Sequence, residues 1–442
     1  FLKSFFTSGF LLKRAEVSFS RNDIKDITKI TNIFLPKFIN KKLNKIFHKG
    51  NLEGEFVIPF EDNGRIGKNY GFTGKISNAS INLTKEFALK NLTTLISHEG
   101  TVDGDEFEIT VKNGSVYDLD LENSTINLKR GNNAIKIKSS LKTKGKLNFS
   151  QIKKISSLFD LNLNNFKNID GAADLKTTVK FDLNEKFKIE NLSYLTEGDI
   201  AYLEIESSPK EIIKKYLPEF QSKIILKNNK VKLSNTKSNQ FAELNGSIKV
   251  NDYFDDFKVK ETYNYNDKSF DIIGNIDLTN SKVKISRLNY NKENGEKSNL
   301  IFDVRFILDK HYNIKNLNFF SNKTKVLLSN LILNKNFEVE DFEKLEVKTF
   351  NNEVKNNDFL AEKSKKIVVL GEIFDAQPLL KMLYKKTDKK TLSENFSSEI
   401  KINFDKAITG TNDDIFDIGM IASVNKGSYN KLSLKGNFSK DE

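Results

Sequence analysis

The chain has 442 residues, a net charge of +12, no cysteine and three histidines, at positions 48, 98 and 311. The missing thiols exclude disulfide bonds, iron–sulfur clusters and thiolate zinc sites, and the histidines form no metal-binding motif. The 71 basic and 59 acidic residues are interleaved along the chain and are not gathered into a basic stripe. We therefore expect no metal, no cofactor and no bound nucleic acid.

The chain opens with FLKSFF, without Met, and stops a few residues after the strand-like run YNKLSLKGNF (429–438). We therefore expect it to be a segment of a longer protein. None of its apolar runs reaches the roughly 18 residues that a membrane-spanning helix needs, so a signal or anchor would lie outside this segment.

Helical periodicity is confined to four short stretches. The first predicts two amphipathic helices joined near Pro36, and in the third Ser208 is the predicted N-cap, with Pro209 at the first helical position. The four stretches are residues 22–47, 149–159, 208–217 and 375–385. Four of the five prolines lie in or beside them, so the remaining sequence is almost free of proline, as a hydrogen-bonded β-ladder requires.

The rest of the chain alternates between apolar and polar residues, which is the period of a half-buried β-strand. Clear examples are LNGSIKVND (244–252), IIGNIDLTN (272–280), KVKISRLNY (282–290) and YNKLSLKGNF (429–438). Turn-forming Asn, Gly, Asp and Lys separate these runs at intervals of about 8 to 14 residues. The pattern predicts a long antiparallel meander with one apolar and one polar face.

One nine-residue phrase recurs in the chain. Its copies are FALKNLTTL (87–95), FKIENLSYL (187–195), YNIKNLNFF (312–320) and FEVEDFEKL (337–345). In the second copy Phe187 and Ile189 share a face, and Leu192 joins them only if a residue is inserted before it. Asn191 stands at that break, and Asn tolerates the left-handed conformation of a bulge. The phrase therefore predicts a strand with the same bend at each of its copies.

A second phrase places Gly in the middle of a strand, with apolar residues two positions before and after it. Gly weakens a strand interior by about 0.5–1 kcal/mol relative to Ala, so it is kept where the chain bulges, bends or lets another backbone approach. The glycines are Gly54, Gly74, Gly246, Gly274, Gly371 and Gly436. Their recurrence predicts strands that bend alike, in a sheet curved the same way along its length.

The sequence contains no motif typical of a catalytic, phosphate-binding or metal-binding site. NGRIGKN (63–69) has too short a Gly spacing for a phosphate loop and predicts a hairpin turn, and the acidic run DGDEFE (103–108) matches no calcium-binding pattern. Histidine is scarce and cysteine absent, so a nucleophile–base pair is not expected either. We predict that the protein is not an enzyme.

We predict a mainly β protein, with an elongated, strongly curved antiparallel sheet shaped like a trough, repeated bent strands and a few short helices. Residues 1–442 would form one continuous β-rich module. The apolar face would either pack on itself in a closed core or line a groove completed by a lipid. The candidate lining residues are Phe87, Leu89, Leu92, Phe187, Ile189, Leu192, Tyr312, Ile314, Leu317, Phe337, Val339 and Phe342.

Three stretches resemble the AsmA-like superfamily, its YhdP branch in particular. Residues 148–205 have its short amphipathic helix, loop, Gly-led strand and bent phrase. KKIVVLGEIFDAQPLLKMLY (365–384) resembles its strand, Gly371, helix-capping Asp375 and leucine-rich helix, and residues 35–60 resemble its helix-then-strand start. The resemblance spans most of residues 20–438, and the order of these elements is its strongest part.

The resemblance implies a segment of a periplasmic protein of a Gram-negative bacterium, anchored in the inner membrane by an N-terminal helix that this segment lacks. It implies a hydrophobic groove that carries phospholipids between the inner and outer membranes. Two alternatives stay open. One is an envelope scaffold that assists outer-membrane protein assembly, as the TamB relatives are thought to do, and the other is a structural or adhesin β protein with a closed core.

Overall fold

The computed structural model describes most of the chain. The described residues are 11–31, 47–67, 69–82, 88–101, 104–117, 119–130, 134–157, 166–185, 188–207, 211–307, 310–384, 392–410 and 413–438. Phe87, Phe187, Ser208 and Pro209 lie outside these ranges, as does the predicted helix boundary at Pro36. The residues group into two compact units, residues 1–203 with 230–237, and residues 204–229 with 238–442.

The first unit is a sheet of mainly long antiparallel strands. Their order by pairing is β1, β2, β3, β4, β5, β7, β8 and β9, and the short β6 pairs with β5 and β8. The bounds are β1 Arg14–Asp23, β2 Phe47–Pro59, β3 Gly71–Asn82, β4 Ala88–Thr101, β5 Gly104–Val116, β6 Leu119–Leu121, β7 Ser124–Arg130, β8 Ala134–Asn148 and β9 Phe166–Asn184, with helices α1 Ile24–Thr31 and α2 Phe149–Ser157.

Two strands, β10 (Ile189–Ser207) and β11 (Lys223–Asn235), have residues in both units. The other elements of the second unit are α3 Glu211–Lys214, β12 Asn239–Lys249, β13 Phe254–Asn264, β14 Ser269–Asp277, β15 Val283–Ile285, a 3₁₀ turn Ser286–Leu288, β16 Tyr290–Lys292, β17 Ser298–Ile307, β18 His311–Ser321, β19 Thr324–Asn334, β20 Val339–Asp341, β21 Lys344–Asn351, β22 Val354–Lys363, β23 Ile367–Asp375, α4 Gln377–Tyr384, β24 Ser398–Ile408, β25 Ile415–Asn425 and β26 Ser428–Asn437.

The sheet of the second unit follows the chain in order from β12 to β26, apart from the short pieces β15, β16 and β20. Each neighbouring pair is antiparallel except β23 with β24, which is parallel. Parallel neighbours need a crossover, and α4 lies in that connection. The predicted fold class, mainly β and mostly antiparallel with a few short helices, is confirmed.

Two helix ends that lie within the described residues differ from the sequence prediction. Helix α3 ends at Lys214 and not at residue 217, because Pro218 disfavours a helical conformation at the residue before it. Helix α4 begins two residues after Asp375, whose Oδ1 accepts a hydrogen bond from the Gln377 backbone N–H at 3.1 Å. No helix in the described ranges is long and apolar enough to cross a membrane.

The prediction of one regular strand over residues 282–290 was wrong. This segment forms the short hairpin of β15 and β16, which are interrupted by a 3₁₀ turn that Asn289 ends in the left-handed conformation, with φ 49°. We call residues 278–292 the strap. It departs from the meander because Val283 and Tyr290 are buried against the sheet, in one cluster with Phe319 and Val326.

The bent-strand prediction is confirmed for Asn191, which has φ 54°, and Asn91 in the preceding copy has φ 52°. In the third copy the break falls one residue earlier. Pairing between β18 and its neighbours skips Lys315, and Asn330 on β19 takes the left-handed conformation, with φ 49°. The inserted residue returns Leu317 to the face of Ile314, as the sequence argument required for this kind of phrase.

Candidate apolar binding surface

The second unit carries an apolar row that crosses every strand from β12 to β26 except the short β15, β16 and β20. Each member pairs directly with the next member across the sheet. The row consists of Leu244, Val259, Gly274, Phe302, Leu317, Leu328, Leu345, Ala361, Val369, Ile402, Met420 and Leu434. Gly274 and Ala361 are buried, and the other ten members of the row keep part of their surface open. Twelve strands therefore present a continuous apolar line on one face.

A shorter row runs beside it over four strands. Ile272, Val304, Ile314 and Leu331 pair in succession from β14 to β19, and all four are only partly buried. Because the side chains of both rows share one face and most stay partly open, the two rows together form a strip that an apolar ligand could cover. We call this the apolar strip.

Aromatic rings border the strip on one side. Tyr263, Phe270, Phe306 and Tyr312 stand on successive strands, with ring centroids 4.5, 4.8 and 5.9 Å apart, and Phe337 stacks on Tyr312 at 4.7 Å. These distances are in the range of favourable aromatic pairs. We call this border the aromatic ladder. Amphipathic tyrosine rings suit a boundary between an apolar surface and water.

The strap closes the other side of the strip on its central strands. Tyr290 of the strap lies edge-on to Phe319, with ring centroids 5.9 Å apart, and buries it together with Val326 and Val347. Buried Lys292 holds the strap: its Nζ donates to the backbone oxygens of Thr279, Ser281 and Glu293 at 2.9–3.0 Å. A polar cluster secures the far side of the strap, where Asn289 Nδ2 donates to Asp375 Oδ2 at 2.8 Å.

The opposite face of the same strands is polar. Lys315 Nζ lies 3.3 Å from carboxylate oxygens of both Asp271 and Asp303, and Arg305 pairs with Asp271 at 3.8 Å. The bulge at Lys315 sends this side chain to the polar face while Ile314 and Leu317 stay on the apolar one. The predicted division into an apolar and a polar face is therefore confirmed for these strands.

A carboxylate interrupts the apolar face beside the strip. Glu261 on β13 pairs with Ala242 and Ile272, and its neighbours along the strand on the same face are Val259 and Tyr263. Burial alone raises the pKa of the Glu261 carboxyl. Glu261 was not among the predicted site residues, although the sequence holds a signal: in VKETY (259–263) the Glu occupies a position whose alternation calls for an apolar residue.

The first unit repeats the arrangement in part. Phe56, Phe72, His98 and Phe107 pair in succession on strands β2 to β5, with ring centroids 4.7 Å apart for the first two and 4.3 Å for the last two. At their edge the Tyr70 hydroxyl donates to Asp105 Oδ1 at 2.9 Å, and His98 Nε2 lies 3.3 Å from the same oxygen.

Helix α1 covers part of the apolar face in the first unit. Ile24 and Ile27 of the helix are buried in one cluster with Leu52, Ile76 and Leu92. This part of the face is therefore a closed core, and the open surface in the described residues is best developed in the second unit.

The predicted lining residues fall into different environments. Leu317 and Ile314 belong to the apolar strip, and Tyr312 and Phe337 to the aromatic ladder, Phe337 being 57% exposed. The others are placed as follows: Leu89 and Leu92 in the core beneath α1, Val339 and Phe342 against the buried cluster of Ile367, Phe396 and Val424, Ile189 on β10 at 58% exposure, and Leu192 on β10 half-buried, while Phe87 and Phe187 lie outside the described residues.

Of the six predicted bend glycines, Gly246 has a positive φ, 152°, and a Cβ there would meet Asn229 Oδ1 at 2.5 Å. Most of the others make room for a neighbouring ring. Phe72 covers the paired Gly54 and Gly74, Phe302 covers Gly274, and a Cβ on Gly371 would lie 2.6 Å from Phe404 Cε1. Gly436 instead faces Ile415, whose Cγ2 would lie 2.6 Å from an added Cβ.

No group of three His, Asp or Glu side chains that could hold a metal ion occurs in the described part of the chain. No protein-family model, curated protein or solved structure matches the sequence or the fold.

Proposed function

We propose that the chain is a segment of a lipid-transfer conduit of the AsmA-like, YhdP type, which carries phospholipids between the inner and outer membranes of a Gram-negative bacterium. In this proposal it works in the periplasm, is anchored by an N-terminal helix outside the segment, and catalyses no reaction. The observation that carries the proposal is the apolar row of twelve paired residues, nearly all of which remain partly open to solvent.

Lipid tails are costly to expose to water. Each methylene that leaves water gains about 0.8 kcal/mol, so a diacyl lipid moving through water pays tens of kcal/mol. A row without polar interruptions lets a chain slide from strand to strand without meeting that cost. The aromatic ladder would stand where tails end and headgroups begin, since Tyr263 and Tyr312 each present an apolar ring with a polar hydroxyl.

Native mass spectrometry with lipid extraction tests this proposal on the full chain purified in mild detergent from a bacterial envelope. We expect several phospholipids per chain in the wild type. Ile314→Asp places a charge in the apolar strip and should remove most of this lipid. Ile301→Asp is the matched control, because Ile301 lies on the neighbouring strand β17 but on the polar face, where it is already 37% exposed.

Lipid-free wild-type protein would contradict the proposal and favour the closed-core alternative. Equal lipid content in Ile314→Asp and Ile301→Asp would contradict the assignment of the strip. Circular dichroism of both variants separates a loss of lipid from a loss of fold.

One observation favours the second candidate function, a scaffold for outer-membrane protein assembly. Strand β26 pairs only with β25 within the described ranges, and its Leu432 and Leu434 side chains are 61% and 62% exposed. An open edge beside apolar side chains can accept an added strand. In the same purification, co-isolation of unfolded outer-membrane proteins in place of lipid would support this function.

A further inference from the structure

Glu261 stands between the aromatic ladder and the apolar row. Its strand neighbours on the same face are Tyr263 of the ladder and Val259 of the row, and across the sheet it faces Ala242 and Ile272. A carboxylate in such surroundings loses hydration that apolar neighbours cannot replace. Burial accordingly raises the pKa of this carboxyl, and no charged neighbour contributes to the shift.

The carboxylate of Glu261 has no hydrogen-bond donor and no ion-pair partner among the described residues. Cations are close in sequence but lie on the other face of the sheet. Lys258 and Lys260 precede Glu261 by three positions and one position, and both pair with Glu243, at 3.0 and 3.8 Å. The Glu243 carboxylate on the polar face therefore has ion-pair partners, whereas the Glu261 carboxylate on the apolar face has none among the described residues.

Asp255 lies on the same strand and the same face as Glu261, but its carboxylate is hydrogen-bonded. Its Oδ1 accepts the Asn280 backbone N–H at 2.9 Å and its Oδ2 accepts the Ser281 hydroxyl at 2.9 Å, so it is fully engaged in holding the strap. A buried carboxylate is normally satisfied in this way. Glu261 has no such structural task, and it faces the surface where the proposed ligand would lie.

The geometry points to Glu261 as the acceptor for an ammonium group on an amphipathic ligand whose tails cover the apolar strip. This inference rests on the proposed function and names the headgroup class, a primary amine. The ammonium would form a charge-assisted hydrogen bond with the carboxylate in a partly desolvated site, where such bonds are strongest. Tyr263 and Phe270, whose ring centroids are 4.5 Å apart, would border the cation with aromatic faces.

The test compares two soluble lipids with identical tails, dihexanoyl phosphatidylethanolamine and dihexanoyl phosphatidylglycerol, by titration calorimetry on the full chain at pH 7. We expect the wild type to bind the ethanolamine lipid about tenfold more tightly, a ratio typical of one charge-assisted contact. Glu261→Gln keeps the shape and removes the charge, so it should abolish the preference. Glu261→Lys should reverse it.

Glu243→Gln is the matched control, because it removes a carboxylate from the neighbouring strand on the polar face and should leave the preference intact. An unchanged preference in Glu261→Gln, or equal binding of both lipids by the wild type, would overturn this inference and leave the conduit standing. If neither lipid binds any of the proteins, the inference and the proposed function both fail.

Discussion

The ring of Phe302 lies over the backbone of Gly274, its direct partner across strands β14 and β17, and fills the space that a side chain at position 274 would occupy. Both residues belong to the apolar row. The glycine therefore leaves room for the large Phe302 ring to lie against the sheet, because position 274 has no side chain. The same arrangement recurs where Phe404 lies over Gly371, its partner on the neighbouring strand, and Phe72 lies over Gly74 from two positions away on its own strand.

Gly274→Ala should destabilise the protein by about 1–3 kcal/mol, because the added methyl group overlaps the Phe302 ring and forces it away. The cost should largely disappear in a Phe302→Ala background, where the space is empty. Urea unfolding of the two single variants and the double variant gives the coupling energy directly. An equal cost of Gly274→Ala in both backgrounds would show that backbone conformation, and not the ring, requires glycine here.

The left-handed asparagines allow a second test of the repeated phrase. Asn191 has φ 54°, and its Nδ2 donates to Asp182 Oδ2 at 2.7 Å. Asn191→Val should cost about 1–2 kcal/mol, since a β-branched residue avoids this conformation. Asn316→Val is the control, because Asn316 holds the same place in another copy with a negative φ, and it should change the unfolding free energy little. Similar losses in both variants would contradict the bulge argument.

The periodicity of the sequence was sufficient to predict the strands, their two faces and the bulge at Asn191, because these features depend on residue type over a few positions. It failed for residues 282–290, where alternation looks like a strand although the segment leaves the main sheet. The choice between strand and strap depends on distant partners: Lys292 reaches backbone oxygens up to 13 positions away, and Asn289 reaches Asp375. Local patterns hold no information on such contacts.

The candidate site was predictable to a similar depth. Parity together with the predicted inserted residue correctly put Tyr312, Ile314 and Leu317 on one face, but it could not distinguish that open strip from the core in which Leu89 and Leu92 are buried. Leu89 and Leu92 are buried because α1 packs over them in the first unit. Similarly, the glycine phrase was recognised from the sequence, but the aromatic rings that pack over these glycines were not, since most of them come from neighbouring strands.

The pH dependence of stability should change between pH 10 and 12 because of Tyr70. Burial first, and then the hydrogen bond to Asp105, raises the pKa of Tyr70 from 10.0 to about 12. The folded protein keeps the phenol proton in this window while the unfolded chain releases it, so the contribution to stability is complete below pH 10 and is lost as the pH approaches 12.

Tyr70→Phe should therefore flatten the decline of the urea midpoint over this interval. The exposed Tyr429 provides the control, and Tyr429→Phe should leave the slope as in the wild type. The same decline in Tyr70→Phe as in the wild type would show that Tyr70 has no part in the alkaline transition.

Lys292 should control how firmly the strap closes its side of the apolar strip. Its side chain is only 1% exposed, and its Nζ supplies the donor for three backbone oxygens, at Thr279, Ser281 and Glu293. Lys292→Met would preserve the apolar stem but leave these oxygens without their donor, each at a cost of about 1 kcal/mol or more, so we expect a loss of roughly 3 kcal/mol.

The loss should be local: hydrogen exchange should accelerate over residues 279–293 and change little in β24 and β25. Lys284→Met, at an exposed position on the same strap, is the matched control and should leave the exchange rates of the strap unchanged. Uniform acceleration across the second unit would instead mean that the strap is part of the global core and cannot open separately.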